Sequence, residues 1–264
     1  MTKLLTTLVC VAAVYAAWPA FSQTTAQTTA ALTQQAAIAA GTARGIPGSE
    51  ARAAWIRAVA AHQATAYLDE VEETVALAVE IARGLRATGA WSAVDLLRQE
   101  AAQAEFAADA VLVRLAAELE ADLLAEITGT AVIPASLPAK LADVPATRTP
   151  VPVVPGADAL QQHAAIARYG AAWERASLYQ SKVLPMRRAI TEETTLRFNG
   201  MLVDVFALLT DVRENALAVL TSIEATRDFW LAENTMRYGA GDAGADNHTL
   251  PRLVPAAPAG HGGH

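Results

Sequence analysis

The sequence predicts an all-α chain of two long antiparallel helical hairpins, coiled-coil and four-helix-bundle-like, joined by a proline-rich linker. Three observations predict it. Hydrophobic residues make up 53% of the 264, much of that alanine, and aromatics only 6%. Alanine loses no side-chain entropy in a helix, so this composition favours helix. A short motif also occurs twice: Leu85-Arg86-Ala87-Thr88-Gly89 and Leu196-Arg197-Phe198-Asn199-Gly200 stand 111 residues apart, each between two long helix-like stretches. An offset of 112 instead brings Leu96-Leu97 onto Leu208-Leu209 and Gly129 onto Gly241. A repeated helix, glycine turn and helix is a duplicated hairpin. Finally, six of the 12 prolines sit at positions 134, 138, 145, 150, 152 and 155, between the two copies.

Residues 1–22 read as a secretory signal. Lys3 gives a positive start, residues 4–18 are apolar, and Ala20-Phe21-Ser22 offers small residues for cleavage before Gln23. Cys10, the one cysteine, lies inside it, which leaves neither a disulfide framework nor a thiolate metal cluster. The chain is expected to be exported to the periplasm or the outer membrane. Residues 23–48 are rich in Thr, Gln and Ala and are expected to be weakly structured, with a break at Gly45-Ile46-Pro47-Gly48.

The first hairpin is assigned to residues 49–129. Ser49 is its expected N-cap. Trp55, Val59, Tyr67, Val71, Val75 and Ile81 recur at spacings that fit one buried face. Past Gly89, Ser92 with Asp95 forms a capping-box-like pair. Leu97, Ala101, Ala104, Ala108, Leu112, Leu115, Leu119, Leu123 and Ile127 then make a near-heptad run, expected to be the buried coiled-coil seam. Gly129 fits the residue after a helix end. A helix of 38 residues is about 57 Å long.

The linker, residues 130–156, is expected to be extended and semi-rigid. The second hairpin takes residues 157–239. Pro185 predicts a kink or break near Val183. After Gly200, Leu208, Val212, Ala216, Val219, Ile223, Thr226 and Trp230 mark the second seam. Residues 240–264, rich in Gly, Pro and Ala, are expected to be a disordered tail. No segment reads as a strand, since Pro152 interrupts the short run at 151–154.

The net charge of −7 argues against a nucleic-acid partner, which would need a basic face. No phosphate loop, nucleophile elbow, zinc-protease or dinucleotide motif occurs, so the chain is read as neither an enzyme nor a cofactor binder. Asp69, Glu70, Glu72 and Glu73 are expected on a solvated helix face, and Glu192 and Glu193 beside Arg187 and Arg188 as surface ion pairs. His62 and His163 are single helical histidines, expected at a surface or an interface. His248, His261 and His264 lie in the tail, where imidazoles in a flexible tract are candidate ligands for copper, nickel or zinc without a preorganised site. Trp91, next to the first glycine turn, is the best candidate partner anchor, the alternative being that it packs over the hairpin end.

Several segments together resemble a known family. Tyr179-Gln180-Ser181-Lys182-Val183-Leu184-Pro185-Met186, the run from Leu196-Arg197-Phe198-Asn199-Gly200 to Leu208-Leu209, and Arg227-Asp228-Phe229-Trp230-Leu231-Ala232-Glu233 resemble the C-terminal half of TolC-type outer-membrane efflux proteins, in the branch associated with copper and other heavy metals. Thr88-Gly89-Ala90-Trp91-Ser92 up to Leu96-Leu97 is similar to that family's first inter-helix turn, and Ile127-Thr128-Gly129 followed by Leu137-Pro138 to the end of its first repeat. The resemblance implies a periplasmic coiled-coil tunnel, a homotrimer, whose tips meet a periplasmic adaptor and an inner-membrane pump to move small molecules or heavy metals across the outer membrane. It makes Gly89, Trp91, Asp95, Gly200 and Asp204 the tip residues. The family's acidic residue before Leu-Leu is kept as Asp95, but Ala207 stands there in the second copy; Asp204 and Asp211 only flank it. The family's β-hairpins have no counterpart here, so the chain reads as a shortened or auxiliary relative lacking the barrel strands. The alternative is a periplasmic helical binding or interaction protein with a weakly metal-binding histidine tail.

Overall fold

The computed structural model describes residues 31–132, 134–150 and 159–238. The fold is all-α: among the described residues every regular element is helical and there is no strand. The described residues form six α-helices in order: α1 Gln34–Ala43, α2 Gly48–Ala87, α3 Ala93–Thr128, α4 Ala159–Leu178, α5 Leu184–Asn199 and α6 Val205–Tyr238. A π-helical turn, Tyr179–Val183, joins α4 to α5.

Local chemistry accounts for most boundaries. The Ser92 hydroxyl accepts from the Asp95 amide at 3.1 Å and starts α3. Gly129, at φ 71°, closes it. Ser49 does not cap α2: Pro47 occupies that place, and its carbonyl accepts from Glu50 and Ala51. Proline's fixed φ and missing N–H suit a helix start. Within residues 23–48, expected to be weakly structured, α1 is a ten-residue helix capped by Thr33. Pro185 does not break its helix. The π turn just before it, where the Leu184 amide donates to the Tyr179 carbonyl, absorbs the mismatch and the chain runs on as α5.

The long helices lie in a row. α2 packs against α3 on one side and α6 on the other, with α1 across its N-terminal end; α6 packs against α2 and against α4 and α5. Small side chains make this crowding around α2 feasible: Ala51, Ala54, Ala58, Ala60, Ala61 and Ala64 are all buried. α2 and α3 are held in antiparallel register by Arg57–Glu120 at 3.1 Å, by Arg114 with Asp69 and Glu72, and by Arg83–Glu100 at 2.9 Å. Arg175–Asp228 and Arg187–Glu214 do the same for α4–α5 against α6. In place of the surface pairs expected between Glu192 or Glu193 and Arg187 or Arg188, Glu193 pairs with Arg197 and Arg187 reaches across to Glu214 on α6.

The two hairpins are pinned together far from the turns. Arg52 of α2 and Glu233 of α6 form a buried ion pair at 2.6 Å. Arg52 also donates to Asn234, and Asn234 donates to the Ser49 carbonyl at 2.9 Å. Breaking one half of such a pair leaves a buried charge without its counter-charge, which costs about 3–5 kcal/mol.

The described part of the linker is a strap rather than a free spacer. It opens with a 3₁₀ turn, Pro134–Ser136. Leu137, Leu141 and Val144 are buried beneath it. Its carbonyls at Ala142, Pro145 and Thr149 accept from Trp230, Trp173 and Tyr169, and Gln63 accepts the Leu141 amide. Prolines leave such a strand of chain with few donors of its own, so its carbonyls are satisfied by side chains.

The largest departure from expectation is on α3. The eight residues from Leu97 to Leu123 read as its buried seam are all exposed, and only Ile127 of that run is buried. The buried face is instead Gln99, Ala102, Phe106, Ala110, Val113, Leu124 and Ile127. α3 is apolar on both faces, but its long neighbour α2 covers only one. The seam expected on α6 is buried or half-buried throughout.

Candidate functional site

The two turns linking long helices are built alike. In the first, Gly89 N–H donates to Arg86 O at 3.1 Å and Ala90 N–H to Leu85 O at 3.0 Å. In the second, Met201 N–H donates to Phe198 O at 2.9 Å and Leu202 N–H to Arg197 O at 2.8 Å. Both are Schellman closures. The structural equivalence therefore runs at 112 residues, not at the 111 that aligns the glycines. Gly89 corresponds to Met201, and both have positive φ, 79° and 58°. Gly200 has an ordinary φ of −79°. At the same offset Ser92 corresponds to Asp204, and each caps the following helix, Asp204 accepting the Ala207 amide at 2.9 Å.

The turns come together at one end of the molecule. Trp91 stacks on Phe206, with ring centroids 4.1 Å apart and planes 4° from parallel. Beneath them Ala78 of α2 and Leu209 of α6 are buried, with Ile81, Leu85 and Phe198 around them. Trp91 is thus half-buried against the second hairpin rather than fully presented to solvent. What the tip does present is Met201, 92% exposed, and Leu202, 77% exposed. Val94, Leu97 and Leu196 add further exposed apolar surface nearby. A non-glycine residue in the left-handed region costs about 1–2 kcal/mol. Met201 carries that strain while offering its side chain to water.

The expected site residues divide accordingly. Gly89 is a turn former, and Asp204 a cap. Asp95 accepts from the Ser92 hydroxyl at 2.6 Å and pairs with Arg98. Gly200 lies one residue before the position that requires a left-handed backbone. Sequence reasoning missed Phe206, Met201 and Leu202; the 112-residue alignment, which sets Met201 opposite Gly89, was the available signal for the turn residues Met201 and Leu202, and Phe206 had none. His248, His261 and His264 lie outside the described residues, as do the signal and the tail. Among the described residues no group of His, Cys, Asp and Glu could hold a metal ion.

Just behind the tip, Asp211 is buried between α5 and α6, and burial raises its pKa, with the Thr191 hydroxyl and Arg187 working against the rise. Burial likewise lowers the pKa of Arg213, with Glu105 of α3 opposing. On α2, burial holds His62 below the usual histidine value. Exposed ion pairs with Arg114 occupy Asp69 and Glu72, which leaves that acidic cluster as a solvated face.

No family model, curated protein or solved structure matches this chain.

Proposed function

We propose that this chain is a TolC-like efflux component that presents two hairpin turns, side by side, to a periplasmic adaptor and through it to an inner-membrane pump. Its cargo is small molecules or heavy metals crossing the outer membrane, and its assembly a homotrimer. The supporting observation is the pairing of the two turns by Trp91 on Phe206, with Met201 and Leu202 exposed beside them. A single-purpose structural turn gains nothing from a strained, solvent-facing methionine; backbone strain of this kind concentrates where function selects it. Exposed apolar clusters mark interaction sites. The described residues hold no strand, and no described helix is long and apolar enough to cross a membrane. The reading therefore concerns the tip-presenting part of an export assembly.

The test is growth of a strain lacking this chain on graded copper. The wild-type chain should restore tolerance and co-purify with the adaptor. A Met201→Asp, Leu202→Asp variant should do neither, while keeping wild-type helix content, because both side chains are exposed. Equal rescue by the variant, or no copper phenotype together with no adaptor recovered, would sink the proposal.

A further inference from the structure

The two turns share their hydrogen bonds but not their chemistry. At the 112-residue offset, Ala87-Thr88 of the first turn corresponds to Asn199-Gly200 of the second. Asn199-Gly200 is the one place in the sequence where glycine follows asparagine. Such a pair has a reaction of its own. The Gly200 amide gives up its proton to hydroxide, and its nitrogen attacks Cγ of the Asn199 side chain. The side-chain nitrogen takes a proton from water and leaves as ammonia, and a five-membered succinimide closes. Water then opens the ring. Attack at Cγ gives an aspartyl residue; attack at the former backbone carbonyl gives an isoaspartyl residue, with the chain running through Cγ. Glycine brings no side chain to hinder the attacking nitrogen. Both residues are exposed, so water reaches them and ammonia escapes.

We propose that Asn199 and Gly200 form a self-modifying site, which reacts when the second turn opens and then fixes it open. The proposal rests on the turn geometry and not on the export reading. The closed turn blocks the reaction. Asn199 is the last residue of α5, and the Gly200 N–H donates to the Leu196 carbonyl at 3.0 Å. That bond occupies the attacking amide, and the helical backbone at Asn199 holds the nitrogen away from its own Cγ. The next residue works against closure. Met201 sits at φ 58°, where a side chain is strained. Helix ends open by local unfolding at little cost, and this strain lowers the cost further. Each opening frees the nitrogen. The product then alters the turn in two ways. A new carboxylate stands at the negative end of the α5 dipole, which is unfavourable. The isoaspartyl linkage also adds a methylene to the backbone between residues 199 and 200. The Met201 and Leu202 amides then lose their register with the Phe198 and Arg197 carbonyls, which they meet at 2.9 and 2.8 Å in the closed turn. Loss of ammonia makes the change one-way. The first turn, closed by Gly89 and without an asparagine, is left as it was, so ageing acts on one of the paired turns alone.

The test incubates the mature full chain at mildly alkaline pH, folded and unfolded in urea, and follows the conversion of Asn199 by peptide mass and isoaspartyl-specific methylation. The folded chain should convert at Asn199 about ten- to a thousandfold more slowly than the unfolded one, the range that opening of a helix end spans. Asn215 and Asn234, inside α6 and not followed by glycine, should stay intact in the folded chain. Met201→Gly, which relieves the left-handed strain, should slow the folded chain by about a further tenfold and leave the unfolded rate unchanged. Gly200→Ala, whose added β-carbon comes no closer than 3.4 Å to another atom, should slow both. In the isoaspartyl form, hydrogen exchange at the Met201 and Leu202 amides should quicken at least tenfold, with Gly89 and Ala90 unchanged. Equal rates in the folded and unfolded chains would overturn the proposal. So would an Asn199 that never converts while folded, a rate indifferent to Met201→Gly, or an isoaspartyl form whose Met201 and Leu202 amides stay protected.

Discussion

α3 and α6 are the same helix of two repeats, yet they live in different surroundings. α6 lies between α2 and α4–α5, and both of its apolar faces are covered. α3 has α2 alone along most of its length, and a face equivalent to one that α6 buries stands in water. The difference teaches that periodicity tells which residues share a face, while the number of neighbours decides which face is inside.

The sharpest way to break this comparison is a matched pair of truncations. Leu209→Ala, on the buried face of α6, should cost about 2–5 kcal/mol in denaturant unfolding. Leu97→Ala, its equivalent on α3, should stay within about 0.5 kcal/mol for the dilute monomer. Equal losses would mean that α3 is covered in solution by part of its own chain.

The two turns give the next largest contrast. Gly89→Ala places a β-carbon at φ 79° and should cost about 1–2 kcal/mol. Gly200→Ala should be neutral or stabilising by about 0.5 kcal/mol, since its backbone is ordinary and the nearest atom to an added β-carbon is 3.4 Å away. Met201→Gly should stabilise by about 1 kcal/mol through relief of the left-handed strain. Thermal unfolding of the three variants reads the pattern directly. If Gly89→Ala and Gly200→Ala cost the same, the 112-residue equivalence fails.

The smallest effect compares two buried polar residues that the repeat also relates, Gln99 on α3 and Asp211 on α6. Asp211 has a raised pKa in the folded state, so the folded chain holds its proton more tightly than the unfolded one. Its presence therefore favours folding at low pH, and that contribution is lost as pH rises from the ordinary carboxylate value through the raised one. Asp211→Asn should raise the Tm at pH 7 and flatten the fall between those values. A wild-type pH profile in the variant would assign the titration elsewhere.

Much of this fold was legible from residue types. Alanine content, the capping Ser92, the closing Gly129 and the α6 seam all follow from local chemistry that the structure keeps. Pro185 announced an irregularity but not its form, because a π turn and a kink satisfy the same missing donor. The buried face of α3 is not legible in the sequence because both of its faces carry apolar periodicity, and choosing between them needs the arrangement of α2 and α6. The strap's anchoring was hidden for a similar reason: Trp173 and Trp230 hydrogen-bond to residues 28 and 88 positions away. At the tip the 111-residue spacing of two glycines points to Gly200, while the hydrogen bonds put the left-handed residue at Met201. The stacking partner Phe206 has no signal in sequence, since the contact joins two hairpins.

The central claim is that the paired turns meet an adaptor. It is tested most directly by photo-cross-linking in cells, with a photoreactive residue in place of Leu202 at the tip or Tyr238 at the far end of α6, both exposed. The account predicts an adduct containing the adaptor from position 202 and none from position 238. Adaptor adducts from both ends alike, or from neither, would contradict it.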